Sequence, residues 1–142
     1  TDGSCLGNPG NGGWAFLIAE ERSIRYRAGF EKNTTNNQME LLAAIKALEF
    51  LNKYIDITIN TDSNYVKEGI TTWIFNWKKN NWKTSTKQPV KNKELWERLD
   101  NLCEMKNISW CWVKAHNTSK FNNQVDELAR KAAESLTESS FN

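Results

Sequence analysis

Asp56-Ile57-Thr58-Ile59-Asn60-Thr61-Asp62-Ser63 is the stretch on which the fold turns. Isoleucine and threonine alternate in a short β-branched run, which predicts a strand. Asn64-Tyr65-Val66-Lys67-Glu68 then reads as a helix. A strand that runs directly into a helix and ends on an acid belongs to an α/β sheet, whose chemistry gathers at the carboxyl ends of its strands. The simpler use of Asp62 or Ser63 is to cap the following helix. What favours chemistry is that three other acids can reach the same place.

The chain has 142 residues, the size of one domain with a substantial core. Cys5, Cys103 and Cys111 are an odd count without CxxC spacing. That argues against a disulfide framework or zinc site and for a reducing, cytoplasmic setting. No apolar run approaches the ~20 residues that span a bilayer, so no membrane is expected. The net charge of +2 conceals an asymmetry: Gly69 to Lys93 carries six lysines and no acid, leaving 13 basic and 17 acidic residues elsewhere.

Upstream, residues 1–13 hold five glycines and a proline, which predicts an irregular turn. No GK[ST] follows it and no helix opens there, which argues against a nucleotide P-loop. Trp14 to Ala19 and Ile24 to Phe30 read as a hairpin around Glu21-Arg22. Leu41, Leu42, Ala44, Ile45, Leu48 and Leu51 have helical spacing, with Asn37 and Glu40 resembling a capping box at the helix start.

Downstream, short helices are expected near 63–69 and 71–79, and a longer one from Asn92 to Glu104 with Leu95, Leu99 and Leu102 on one face. Ile108 to Val113 reads as a strand covered on both faces. A polar loop holds the single histidine, His116, and the last helix begins with Asp126 and Glu127 in its first turn, as the helix dipole favours. Thr137 to Asn142 is expected to fray.

With Asp2 and Asp62 ending strands and Glu40 and Asp126 beginning helices, all four acids can converge on one sheet edge. Like charges in one cleft repel and raise one another's pKa values. Oxygen-only ligation of Mg²⁺ or Mn²⁺ relieves that repulsion and suits phosphate-bearing substrates.

The basic segment has its own reading. Trp73, Trp77 and Trp82 are spaced by four and five residues, and a bland account makes them core and the lysines a solvated surface. Six lysines without an interleaved acid are not the usual mixed-sign surface pattern. The functional account has Lys78, Lys79, Lys83, Lys87 and Lys91 tracking a phosphate backbone, with Trp73 and Trp77 beside it.

Thr1 to Gly10, then Thr34-Thr35-Asn36-Asn37-Gln38-Met39-Glu40-Leu41, Thr61-Asp62-Ser63 and Asp126-Glu127-Leu128-Ala129, in that order, resemble the bacterial type 1 ribonucleases H. Trp73 to Lys79 and Pro89 to Asn92 look like that family's basic protrusion, about residues 71–93. The resemblance runs to about Ala133 and implies a single ribonuclease H-like domain over residues 1–142, a five-stranded mixed sheet flanked by helices. It also implies a monomer that hydrolyses the RNA strand of RNA–DNA hybrids, leaving 5′-phosphate and 3′-hydroxyl ends.

By the same resemblance, Asp2, Glu40, Asp62 and Asp126 are metal-binding carboxylates for two Mg²⁺ ions, with Mn²⁺ as a substitute, and His116 assists proton transfer or product release. Cys5, Asn8, Asn36, Asn37 and Asn64 match minor-groove contacts, where the 2′-hydroxyl separates RNA from DNA. Thr35 and Asn92 match part of a pocket for a phosphate of the DNA strand.

Departures from the family pattern are Asn33 in place of an arginine, Asn64 in place of glutamine and Ala115 in place of glycine. The family's first strand begins several residues before its aspartate, so apolar strand-forming residues are expected upstream of Thr1. Two other functions fit the same fold: a hybrid- or double-strand-binding module without activity, and an integrase-like nuclease. The four acids argue against the first. The Asp2-Gly3-Ser4 loop and the basic protrusion argue against the second.

Overall fold

A computed structural model describes residues 1–113 and 120–142 of the chain. Its first part is an antiparallel sheet of β1 (Asp2–Cys5), β2 (Gly10–Glu20) and β3 (Ser23–Thr34). Only Thr1 and residues 6–9 of the glycine-rich opening lie outside strands, so the expected irregular turn over 1–13 is corrected. The glycines serve close packing instead. A Cβ at Gly3 would overlap the backbone at Met39 and Glu40, and one at Gly13 would overlap the carbonyl of Ala129. Two helices can therefore approach the sheet, one on each face.

Those helices are α1 (Asn36–Phe50) and α5 (Lys120–Ser135). Side-chain alternation along β2 assigns the faces: the Phe16 ring packs on Phe50 of α1, while Ala15 packs with Val125, Ala129 and Ala132 of α5. Between α1 and α5 the chain forms β4 (Asp56–Thr61), α2 (Asn64–Glu68), a π-helical turn (Gly69–Trp73), α3 (Ile74–Lys79), α4 (Lys93–Glu104) and β5 (Asn107–Trp112). The larger core joins Leu41, Ile45 and Leu48 of α1 to Ile59, Val66, Ile74, Trp96 and Leu99.

β4 and β5 pair in parallel, Asp56 with Asn107 through Thr61 with Trp112, which makes the architecture an α/β fold with both strand senses. With β6 (Ser139–Phe141), the backbone ladders fall into two groups, β1-β2-β3-β6 and β4-β5. The α-amino group of Thr1 crosses between them to the carbonyl of Asn60, at 3.1 Å. A cavity of about 590 Å³, lined largely by apolar residues of β2, β4 and α1, lies between the groups, and none of the four candidate acids lines it.

Several local expectations change. The tail does not fray: β6 (Ser139–Phe141) adds to the edge of β3, and the Phe141 ring lies 5.8 Å from that of Tyr26. β5 is not covered on both faces; exposed and half-buried residues alternate from Asn107 to Cys111, and Trp112 is exposed. Asp2 stands at the start of the described β1, not its end, because Gly3 to Cys5 continue pairing with β2.

Candidate active site

The caps of two helices show which acids are free for other work. At α1 the reciprocal cap is Thr35 with Gln38, not Asn37 with Glu40: the Gln38 N–H donates to Thr35 Oγ1 and the Thr35 N–H to Gln38 Oε1. Glu40 is thereby left one turn inside the helix, buried and accepting from the Gly3 N–H. At α2 the cap is Ser63, whose Oγ accepts from the Val66 N–H, so Asp62 is not the cap of that helix. α5 begins at Lys120, six residues before Asp126, and its first turn holds no acid. The dipole account of Asp126 is accordingly withdrawn.

Asp2, Glu40 and Asp62 each offer a carboxylate oxygen, and these three oxygens lie within 4.8 Å of one another. Asp126 is exposed and outside that triangle, but it lines the same cleft of about 410 Å³. Burial pushes the Asp2 carboxyl up to about 10, with the charge of Glu40 and then the neighbouring Asp126 adding to it. Glu40 is pushed up to about 7, again chiefly by burial; its hydrogen bond with Asp2 opposes the rise and the charge of Asp62 adds to it. Asp2 Oδ2 is buried without a hydrogen-bond partner.

A buried unpartnered carboxylate oxygen costs free energy. An all-oxygen set at this spacing, with a lone pair left over, fits a hard divalent cation. The residues present therefore fit the metal that the sequence predicts.

The remaining predicted residues separate into distinct surroundings. Asn36, Asn37 and Asn64 line the acid cleft. Asn8 Oδ1 accepts from the Asn36 N–H at 3.3 Å, and Cys5 Sγ donates to the Thr34 carbonyl at 3.3 Å. Thr35 is the α1 cap, and Asn92, in the left-handed region at φ 61°, precedes α4. Lys79, Lys83, Lys87 and Lys91 are exposed. Lys78 is exposed as well, and its Nζ lies 3.0 Å from Asp100 and 3.7 Å from Glu104, an ion pair that links α3 to α4.

Trp77 is half-buried, its ring 5.3 Å from that of Trp96, whereas Trp73 at the end of the π-helical turn is 38% exposed. His116 lies outside the described residues.

Sequence reasoning missed three contributors. The Trp112 indole N–H donates to the Asp62 carbonyl at 3.3 Å, and the register of β5 on β4 brings it there. Tyr65 and Gln38 hydrogen-bond with Asn92 from two sides. The signal for Gln38 was present as Thr-x-x-Gln, a capping pattern that begins two residues before Asn37. Tyr65 and Trp112 carry no such pattern, because their partners are distant in sequence.

The RNase H family model matches residues 1–134. A Ribonuclease H of Francisella philomiragia is 51% identical over 137 residues, covering 96% of this chain and 90% of the relative. A Ribonuclease H of Hydrogenovibrio crunogenus is likewise 51% identical, with 96% and 94% covered. Among solved structures, a type 1 RNase H with the type 2 active-site motif superimposes with a TM-score of 0.83 at 27% identity, over 97% of this chain and 72% of that one. With the fold, the acid cleft and these relatives in agreement, the chain belongs to the RNase H family of nucleases.

Proposed function

We propose that this nuclease hydrolyses the RNA strand of RNA–DNA hybrids with divalent metal, Mg²⁺ or Mn²⁺, leaving 5′-phosphate and 3′-hydroxyl ends. The observation that carries the reading is the convergence of Asp2, Glu40 and Asp62 oxygens within 4.8 Å, on elements remote in sequence. Two bound cations would lower the pKa of the attacking water and neutralise the leaving 3′-oxygen of an in-line displacement.

The chain's own residues supply the rest. Asp2, Glu40 and Asp62 hold the metal, Asp126 completes the set from α5, and His116 takes part in proton transfer or product release. Asn36, Asn37 and Asn64 read the minor groove, where an amide can hydrogen-bond the 2′-hydroxyl and so select RNA. The exposed Lys79, Lys83, Lys87 and Lys91 engage phosphates, which sets affinity and position but not chemistry.

The test is gel analysis of a labelled hybrid and a matched DNA duplex with Mg²⁺, Mn²⁺ or EDTA. The reading expects the RNA strand to be cut only with metal, and resistance where 2′-deoxy or 2′-O-methyl groups flank the scissile phosphate. Comparable cutting of the DNA duplex would remove the 2′-hydroxyl from the account.

A further inference from the structure

A chain of hydrogen bonds fixes which end of the Asn92 amide is which. The backbone N–H of Thr35 can only donate, and its acceptor is one end of the Gln38 amide, which is therefore Oε1. The other end, Nε2, must donate, and its partner 3.1 Å away is Asn92 Oδ1. Asn92 Nδ2 then donates to the Tyr65 hydroxyl oxygen at 3.1 Å. The Trp96 indole N–H, also a donor only, reaches the same oxygen at 3.1 Å. The Tyr65 hydroxyl can donate as well as accept, so it seats the amide without choosing its direction, and the polarity of the chain is set from the Gln38 end. One hydrogen of Asn92 Nδ2 is left over.

We propose that Gln38 and Tyr65 are positioning residues that hold the Asn92 amide in the one orientation offering an N–H, not a carbonyl, to a phosphate of the bound duplex. The inference rests on the hybrid-cleavage reading and assigns a purpose to a network that reading does not use. A flipped Asn92 would face a phosphate with its carbonyl oxygen, an acceptor against an acceptor. The same network joins the N-terminus of α1, which leads to Glu40, to α2, which follows Asp62, so duplex grip and acid cleft share one scaffold.

Gln38→Glu separates positioning from folding. The introduced carboxylate still accepts from Thr35 N–H, and an acid in the first turn suits the helix dipole, so the melting temperature should hold or rise. It can no longer donate, so Asn92 must turn its Nδ2 to the carboxylate and its carbonyl outward. Hybrid KM should rise about tenfold, equivalent to about 1.4 kcal/mol, with kcat falling less than threefold. Asn92→Ala should show a similar rise. In the Asn92→Ala background Gln38→Glu should add less than twofold, which also removes direct repulsion by the new charge as the cause.

Tyr65→Phe should raise KM in the same way, and again not in the Asn92→Ala background; if it unfolds, the Gln38→Glu cycle decides alone. A Gln38→Glu KM within twofold of wild type, or effects of Gln38→Glu and Asn92→Ala that multiply, would overturn the proposal. A wild-type protein that cuts no hybrid would instead overturn the function on which it rests.

Discussion

The acid cleft and the lysine-bearing segment of residues 69–93 are both built from like charges, yet the chain treats them in opposite ways. In the cleft, Asp2 and Glu40 are buried at 5% and 6% exposure and crowded against Asp62. In the segment, Lys78, Lys79, Lys83, Lys87 and Lys91 are all exposed, and Lys78 is paired with Asp100 and Glu104. Water screens exposed lysines, so gathering them costs little. Burying carboxylates together without a counter-charge is expensive. The costly cluster is the one that a bound cation would relieve, while the exposed lysines call for no such compensation.

The sharpest way to break this contrast is Asp62→Asn. It should abolish metal-dependent hybrid cleavage while leaving the metal-free melting temperature unchanged or higher, because one repulsive charge is gone. A clear drop in that temperature would make Asp62 a structural residue.

His116→Ala comes next, with turnover slowed about 10²-fold, the low end for general acid–base groups, and hybrid affinity nearly kept. An unaltered rate in single and multiple turnover would leave His116 without a part.

On the lysine side, replacing Lys79, Lys83 and Lys87 together by alanine should raise KM strongly and change kcat little. The slope of log K against log salt should fall by roughly 0.9 for each phosphate that is no longer neutralised. Adding Lys78→Ala should cost stability more than slope, since its partners are Asp100 and Glu104. An unchanged slope in the triple variant would separate the segment from the substrate.

The smallest effect is on pH and stability. An acid whose folded pKa lies above its unfolded value binds extra protons when folded, so stability falls as pH rises through that interval. Burial raises Glu40 from 4.5 to about 7, and Asp2 is raised further. Without metal, the melting temperature should therefore decline from about pH 4 to 10, most steeply between about pH 4.5 and 7 where both acids contribute, and Glu40→Gln should lessen the decline in that steeper interval. A flat wild-type profile in EDTA would show that the cleft carries no such load.

Much of this was legible in sequence where local rules decide. The β-branched run Asp56–Thr61, the apolar spacing of α1 and the ordered acid motifs point to the α/β fold and to the cleft. What misled was any inference about which neighbour does a local job. Asn37 with Glu40 and Thr35 with Gln38 both fit a capping pattern on paper, and the start of α1 at Asn36 selects the second. Asp126 looked like a first-turn acid because the start of α5 at Lys120 carries no strong signal. The tail was expected to fray because three residues pairing with the edge of β3 depend on a strand over a hundred positions earlier. Lys78 looked like its neighbours, but Asp100 and Glu104 reach it across an interhelical contact.

The most direct test of the central claim is the melting temperature of the metal-free protein at pH 7.5, titrated with MgCl₂ against NaCl of equal ionic strength. For the wild type, Mg²⁺ should raise it well beyond the NaCl control, because a divalent cation relieves the buried repulsion and binds the folded state alone. For Asp62→Asn most of that difference should vanish. Equal responses to Mg²⁺ and NaCl in the wild type would contradict a metal site at Asp2, Glu40 and Asp62.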